Sequence, residues 1–170
     1  MPVGQDGDAP QGVRAIDFPI RSRGYGFDDF TLERRFDHEQ RRTVLESDNA
    51  LFSTWSLALH RRYLDREFNL AEGRPDVLVN PMLVFATVFG LSVEDLSEQS
   101  VAFLGIDDLR FGVDVHPGDT LRASSVVTAS RRSATRPAGI VTWQTTGLNQ
   151  RDETVVTFLR SNLFSLKEAA

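Results

Sequence analysis

Residues 80–90 read Asn-Pro-Met-Leu-Val-Phe-Ala-Thr-Val-Phe-Gly, and this stretch decides the fold. Asn80 is a helix N-cap, a position where a short polar side chain accepts from a nearby backbone amide. Pro81 takes the first helical position, where its missing amide costs nothing, and Gly90 closes the run. Met82, Leu83, Val84, Phe85, Ala86, Val88 and Phe89 make the helix between them apolar nearly all the way round. A helix without a polar face is expected to be buried on every side. Something in a chain of 170 residues must therefore wrap it.

The wrapper is written downstream. Residues 101–111, 120–130, 139–148 and 154–166 are rich in Val, Thr, Phe and Leu and read as four strands. Good turns separate them: His116-Pro117-Gly118-Asp119, then 132–138, then Asn149-Gln150-Arg151-Asp152. Helices followed by consecutive antiparallel strands make an α+β pattern. The expected fold is an antiparallel sheet wrapped around a long buried helix at about residues 81–90, the hotdog arrangement. No internal repeat is visible, so a single hotdog is expected and not a fused pair.

Upstream, Thr43-Val44-Leu45-Glu46 has the form of a capping box, with Thr43 as the cap and Glu46 reaching back. Leu45, Phe52, Trp55 and Leu59 then recur at helical spacing, which predicts a helix over 44–59. The charged run 61–67 predicts a second short helix holding Tyr63, Leu64 and Phe68 on one side. Residues 32–36 read as a short extended segment, and Gly73-Arg74-Pro75-Asp76 as a turn.

Composition bounds the function. The length predicts one domain over 23–170, preceded by a segment over 1–22 that is disordered or extended. A net charge of -5 argues against a nucleic-acid partner, which would ask for a basic face. With no cysteine there is no disulfide, thiolate metal site or cysteine nucleophile. No apolar run reaches the roughly 18 residues of a membrane span, and the first 22 residues hold no signal-peptide core. A cytoplasmic location is the expectation.

Several phrases resemble the MaoC-type dehydratases, and among them the branch that hydrates mesaconyl-CoA or dehydrates β-methylmalyl-CoA. They are TVLESDN (43–49), LVNP (78–81), FGLSVED (89–95), VAFLGIDDLR (101–110), PGDTL (117–121), Arg136-Pro137 with Gly139 to Val141, and GLNQ (147–150). Together they span about two-thirds of the chain in matching order. The resemblance implies an acyl-thioester substrate, no cofactor, and a homodimer or higher homo-oligomer with the site near the interface. It also implies a segment Asp-x-Asn-Pro-x-His-x-Asp after the first helix. Counted without gaps from Asp48, that segment falls on residues 58–65, and only Asp65 matches outright. Ala58 stands where the family keeps its general base and Tyr63 where it keeps its proton-donating His.

Adding water across a thioester-conjugated double bond needs a base, an acid and donors for the enolate-like oxygen. The donors are expected from the amides of Met82 and Leu83, behind Asn80, where the helix dipole favours negative charge. His60, with an ordinary pKa near about 6.5, is a candidate relocated base. Tyr63, near about 10, is a candidate acid or substrate anchor. Asp65 and Asp48 are candidate pocket residues, each set against a role as a helix-terminal charge. Asp107-Asp108 lies in a strand, where neighbours face opposite ways, so it is no paired-carboxylate site. His116 opens a turn and is expected to be exposed. No cluster of His, Asp and Glu has metal-ligand spacing, so no metal site is expected. The basic loop 131–136 is either a grip for CoA phosphates or a solvated hairpin.

Three readings stay open at this stage. The chain could hydrate or dehydrate an acyl thioester with His60 and Tyr63 as substitutes. It could use the same pocket for a cyclisation, isomerisation or elimination. It could also be a non-catalytic thioester binder or the partner of an active subunit.

Overall fold

The structure, a computed structural model, describes residues 23–166; the expectation for residues 1–22 falls outside them. A short 3-10 turn, Phe27–Asp29, precedes strand β1 (Arg35–Thr43). Helices α1 (Glu46–Trp55), α2 (Arg61–Leu64) and α3 (Arg66–Ala71) lead to the long α4 (Pro81–Leu91) and the single-turn α5 (Val93–Leu96). Strands β2 (Ala102–Phe111), β3 (Thr120–Arg132), β4 (Ala138–Leu148) and β5 (Thr154–Ser165) complete the chain. All pairings are antiparallel, in the order β1-β3-β4-β5-β2. The sheet curves around α4, which is the expected single hotdog.

Two apolar clusters form the core. Val84 and Val88 of α4 pack on Leu121, Ala123, Val156 and Phe158 of the sheet. Each fully buried valine contributes on the order of 1.5–3 kcal/mol. The close approach depends on Gly147 of β4: a Cβ there would lie 2.5 Å from a Val88 methyl. Beyond the end of α4, Phe30, Phe36, Leu96, Trp143 and Phe164 make the second cluster.

A polar line crosses the floor of this second region. His38 is buried between Asp95 of α5, 2.6 Å from Nδ1, and the Ser125 hydroxyl, 2.9 Å from Nε2. Ser125 continues to Thr145 at 2.9 Å. Burial is the main influence on His38 and lowers its pKa, against the opposing pull of Asp95. The neutral ring thus donates from Nδ1 to Asp95 and accepts at Nε2 from Ser125. Arg160 is also fully buried, its guanidinium 4.6 Å from the Phe89 ring centroid and 5.5 Å from that of Trp143. All three of its side-chain nitrogens lack a hydrogen-bond partner among the described residues. Desolvation pushes it down to about 10.

Three local expectations are corrected. First, Thr43 does not cap α1: it ends β1, and its hydroxyl bonds Thr120 at 2.8 Å. Asp48 does the capping, accepting from the Leu45 amide at 2.9 Å, so the helix starts at Glu46. It ends at Trp55, and Leu57 takes a left-handed φ of 57° that a helix cannot continue through. Second, the apolar stripe of this helix faces outward. Leu45, Trp55 and Leu59 are exposed, whereas Asn49 and Ser53 are the buried positions. Third, α4 is not buried on every face within one chain. Val84 and Val88 are covered, while Met82, Ala86 and Gly90, four residues apart along one line, are exposed. Elsewhere the extended segment expected at 32–36 is a turn followed by β1. The Asp107-Asp108 alternation is also broken, by a bulge where Asp108 takes a φ of 48°.

Candidate functional site

The segment between α1 and α4 carries Ala58, His60, Tyr63 and Asp65, and two buried polar residues of α1 hold it in place. Asn49, 1% exposed, donates from Nδ2 to the carbonyls of Tyr63 (2.9 Å) and Leu78 (3.0 Å). Its Oδ1 accepts from the Asn80 amide at 2.8 Å. Ser53 accepts from the Asn80 side chain at 3.4 Å through its hydroxyl and from the Ala58 amide at 2.9 Å through its carbonyl. Ala58, Tyr63 and Asn80 are therefore gathered at one place, by two residues that sequence reading missed. The only signal for them was a pair of small polar residues, four apart, on a helix expected to bury its leucines.

Each candidate has a definite place. Asn80, 3% exposed, caps α4 as expected: its Oδ1 accepts from the Met82 amide at 3.0 Å. Its carbonyl takes the Leu83 amide at 2.9 Å. Both amides expected to meet an oxyanion are thus answered by Asn80. His60 caps α2, its Nδ1 accepting from the Arg62 amide at 3.1 Å. With that lone pair engaged, the neutral ring carries its proton on Nε2 and presents a donor, so the expected base is a donor in this geometry. Tyr63 is half-buried with its ring centroid 5.9 Å from that of His60, and among the described residues its hydroxyl bonds nothing. Asp65 caps α3 through the Phe68 amide (2.9 Å) and pairs with Arg61 (2.9 Å). Those two contacts, the amide first, hold its carboxyl below the ordinary range.

Beside this junction a cavity of about 280 Å³ opens between α1 and α4. Leu51, Phe52 and Trp55 line it from α1, Leu83 and Thr87 from α4, and Val44 from the end of β1. Trp55, 81% exposed, stands at the open side. Leu83 links slot and junction, since its side chain lines the cavity and its amide belongs to the first turn of α4. Asp48 reaches the rim, but its carboxylate accepts from the Leu45 amide and from Arg42, both oxygens lying within 3.1 Å of Arg42 Nη2. The amide first, then Arg42, depress its pKa.

Other expectations resolve away from the site. His116 is half-buried and not exposed: its Nδ1 lies 2.9 Å from the Val77 carbonyl, tying the turn before β3 to the strand-like approach to α4. The basic loop 131–136 joins the far end of β3, whose 13 residues span on the order of 40 Å. It cannot serve the slot of its own chain, and Arg132 instead faces Asp28 at 3.6 Å. No group of three or more metal-ligating side chains exists among the described residues. Nor is any described helix long and apolar enough to cross a membrane.

Residues 14–170 match the family model described as mesaconyl-CoA hydratase. The chain is 36% identical over 137 residues to mesaconyl-CoA hydratase of Cereibacter sphaeroides, covering 81% of this chain and 40% of that protein. It is 34% identical over 137 residues to beta-methylmalyl-CoA dehydratase of Chloroflexus aurantiacus, covering 81% and 39%. The crystal structure of a MaoC domain dehydratase from Chloroflexus aurantiacus superposes with a TM-score of 0.80 at 33% identity, covering 86% of this chain and 41% of that one. The chain thus spans about two-fifths of the length of these relatives. Matched over nearly all its length by one family model, and folded as the single hotdog its phrases implied, the chain belongs to the mesaconyl-CoA hydratase family of MaoC-like hotdog proteins.

Proposed function

We propose that the chain binds an acyl thioester, with its acyl group in the α1–α4 slot and its thioester oxygen at the first turn of α4. There it takes part in hydratase or dehydratase chemistry with an atypical set of groups. The observation that carries this reading is the slot itself: in a chain of this family, an apolar cavity runs up to Leu83, whose amide lies at the positive end of α4. Tyr63 and the Nε2 proton of His60 act as hydrogen-bond donors, suited to holding a substrate oxygen. The one ring nitrogen of His60 that could accept is taken by the Arg62 amide, and Ala58 supplies nothing.

A second reading, that the base comes from another hotdog unit, is favoured by the exposed line Met82, Ala86 and Gly90 on α4. Beside it an apolar groove is lined by Phe85, Phe89, Phe103 and Ile106. Surface of this kind marks an interface, and the relatives are more than twice as long. A homodimer or larger homo-oligomer would cover it.

The test is to incubate the protein with mesaconyl-CoA, crotonyl-CoA and their hydrated counterparts and follow conversion by mass spectrometry. The Ala58→Asp, Tyr63→His double variant runs alongside. Slow turnover by the wild type, raised about a hundredfold or more in the double variant, supports the reading. Silence in the wild type with turnover in the variant supports a thioester pocket whose base is supplied by a partner. Silence in both, with no acyl-CoA bound, overturns both readings.

A further inference from the structure

We propose that the slot selects acyl groups with an uncharged, apolar end and rejects those that carry a second carboxylate. This rests on the thioester reading above and departs from what the names of the relatives imply, since a mesaconyl group carries a free carboxylate.

The slot's chemistry carries the inference. Its walls are side chains of Val44, Leu51, Phe52, Trp55 and Leu83, with Thr87 the one neutral polar group. The single cation at its edge, Arg42, is already committed. One of its guanidinium nitrogens lies 3.0 and 3.1 Å from the two oxygens of Asp48, and Asp48 is pinned by the Leu45 amide that it caps. A ligand carboxylate entering here would find its counter-charge neutralised and would face Asp48 across the rim. Freeing Arg42 would strip Asp48 of its partner at the start of α1. A carboxylate placed among apolar side chains without a paired cation is strongly disfavoured.

An alkyl chain meets the opposite situation. Leu51 and Trp55 are 53% and 81% exposed, so a chain that covers them removes apolar surface from water on both sides of the contact. Each methylene so buried is worth roughly fourfold in affinity. At about 280 Å³ the cavity lies near the lower end of ligand pockets, which hold about 300 to 1,000 Å³. A chain of medium length fits it better than a long one.

Saturated thioesters separate binding from reaction. Hexanoyl-CoA and adipoyl-CoA have the same chain length and differ in a terminal carboxylate, butyryl-CoA tests the gain per methylene, and free CoA is the reference. Affinities come from calorimetry on the full chain. Location comes from tryptophan emission, because the protein has two tryptophans, Trp55 at the slot and Trp143 fully buried in the second cluster. The expected result is a blue shift with hexanoyl-CoA that Trp55→Phe abolishes, leaving only the unmoved emission of Trp143. Hexanoyl-CoA should bind tighter than adipoyl-CoA by roughly tenfold or more, with butyryl-CoA weaker than hexanoyl-CoA. Thr87→Arg, which adds a cation inside the slot, should reverse the hexanoyl-to-adipoyl order. Adipoyl-CoA binding as tightly as hexanoyl-CoA in the wild type, with the same blue shift, overturns the selectivity and leaves the thioester reading standing. Equal affinity for hexanoyl-CoA and free CoA, with no emission change, overturns the assignment of the slot to the acyl group. Failure of every CoA compound to bind overturns the thioester reading itself.

Discussion

The backbone amide of Asn80 donates to the side-chain oxygen of Asn49 at 2.8 Å, and through that one bond the start of α4 is fixed to the middle of α1. The same Asn49 side chain holds the carbonyls of Tyr63 and Leu78, so three separate stretches of chain converge on one buried amide.

Asn49→Ala removes all three bonds and leaves buried backbone groups without partners. Each such group costs on the order of 1–3 kcal/mol. The expected loss is about 3–5 kcal/mol, read as a lower urea midpoint at unchanged m-value. A loss under about 1 kcal/mol would mean that water takes over the side chain's role.

Gly147→Ala tests how closely α4 lies on the sheet. The added Cβ would stand 2.5 Å from one Val88 methyl and 2.9 Å from a Val156 methyl. Overpacking of this kind costs about 1–3 kcal/mol. A thermal midpoint equal to that of the wild type would show that the helix moves outward freely.

Arg160→Met should leave the protein as stable or stabilise it, by up to about 4 kcal/mol. The folded pKa near 10 lies well below the ordinary arginine value, so the unfolded chain holds the proton more tightly and the charge opposes folding. That penalty, roughly 3 kcal/mol by the size of the shift, is present in full at neutral pH and is relieved only as pH rises above 10. Phe89 and Trp143 offset part of it through their ring faces. Denaturant titration at pH 7 measures the balance. A loss above about 2 kcal/mol would show that the rings, not the burial, dominate.

His38 should make the wild type sensitive to mild acid. Its folded pKa is lowered by burial, so the unfolded state binds the proton more readily. Stability is then full above about pH 6.5 and falls as the pH drops below it. His38→Gln, which cannot take up that proton, should flatten the profile between about pH 6.5 and 5 even though its stability at pH 7 is lower. Parallel profiles for the two proteins would assign the acid sensitivity to other groups.

Ala86→Glu tests the exposed line of α4. A charge at its centre should convert an oligomer to monomer by light scattering without a large change in far-ultraviolet circular dichroism. An oligomer that survives the substitution uses another face.

The elements that could be read from sequence are those whose own side chains carry the signal. The run 80–90 has cap, proline, apolar body and glycine in order, and the observed α4 runs one residue past it. Strands β2 to β5 are rich in Val, Thr, Phe and Leu between good turns, and their ends fall within two residues of expectation. Strand β1 was mostly missed because its sequence, RFDHEQRRT, is charged, with only Phe36 and His38 buried. Pairing with β3 makes it a strand, and the same pairing takes Thr43 away from the cap that its local pattern suggested. In the site, Asn80 was legible because capping is local. Asn49, Ser53 and Trp55 were not, because the role of each depends on a segment folded over α1 from elsewhere. The outward-facing Leu51 and Trp55 of α1 ran against the ordinary rule that apolar stripes point to the core.

Asn80 answers the first turn of α4 with its own side-chain and backbone oxygens. On the proposed thioester reading, a substrate oxygen arriving at Met82 would find a neutral amide oxygen already in that place, so binding there would be an exchange of acceptors and not an addition. A thioester carbonyl, also neutral, gains little by the swap, whereas an enolate oxygen forms a bond about twice as strong and can evict the cap. The resting helix start would thereby work as a threshold, indifferent to the substrate as it binds and yielding only to the charge that develops as it reacts.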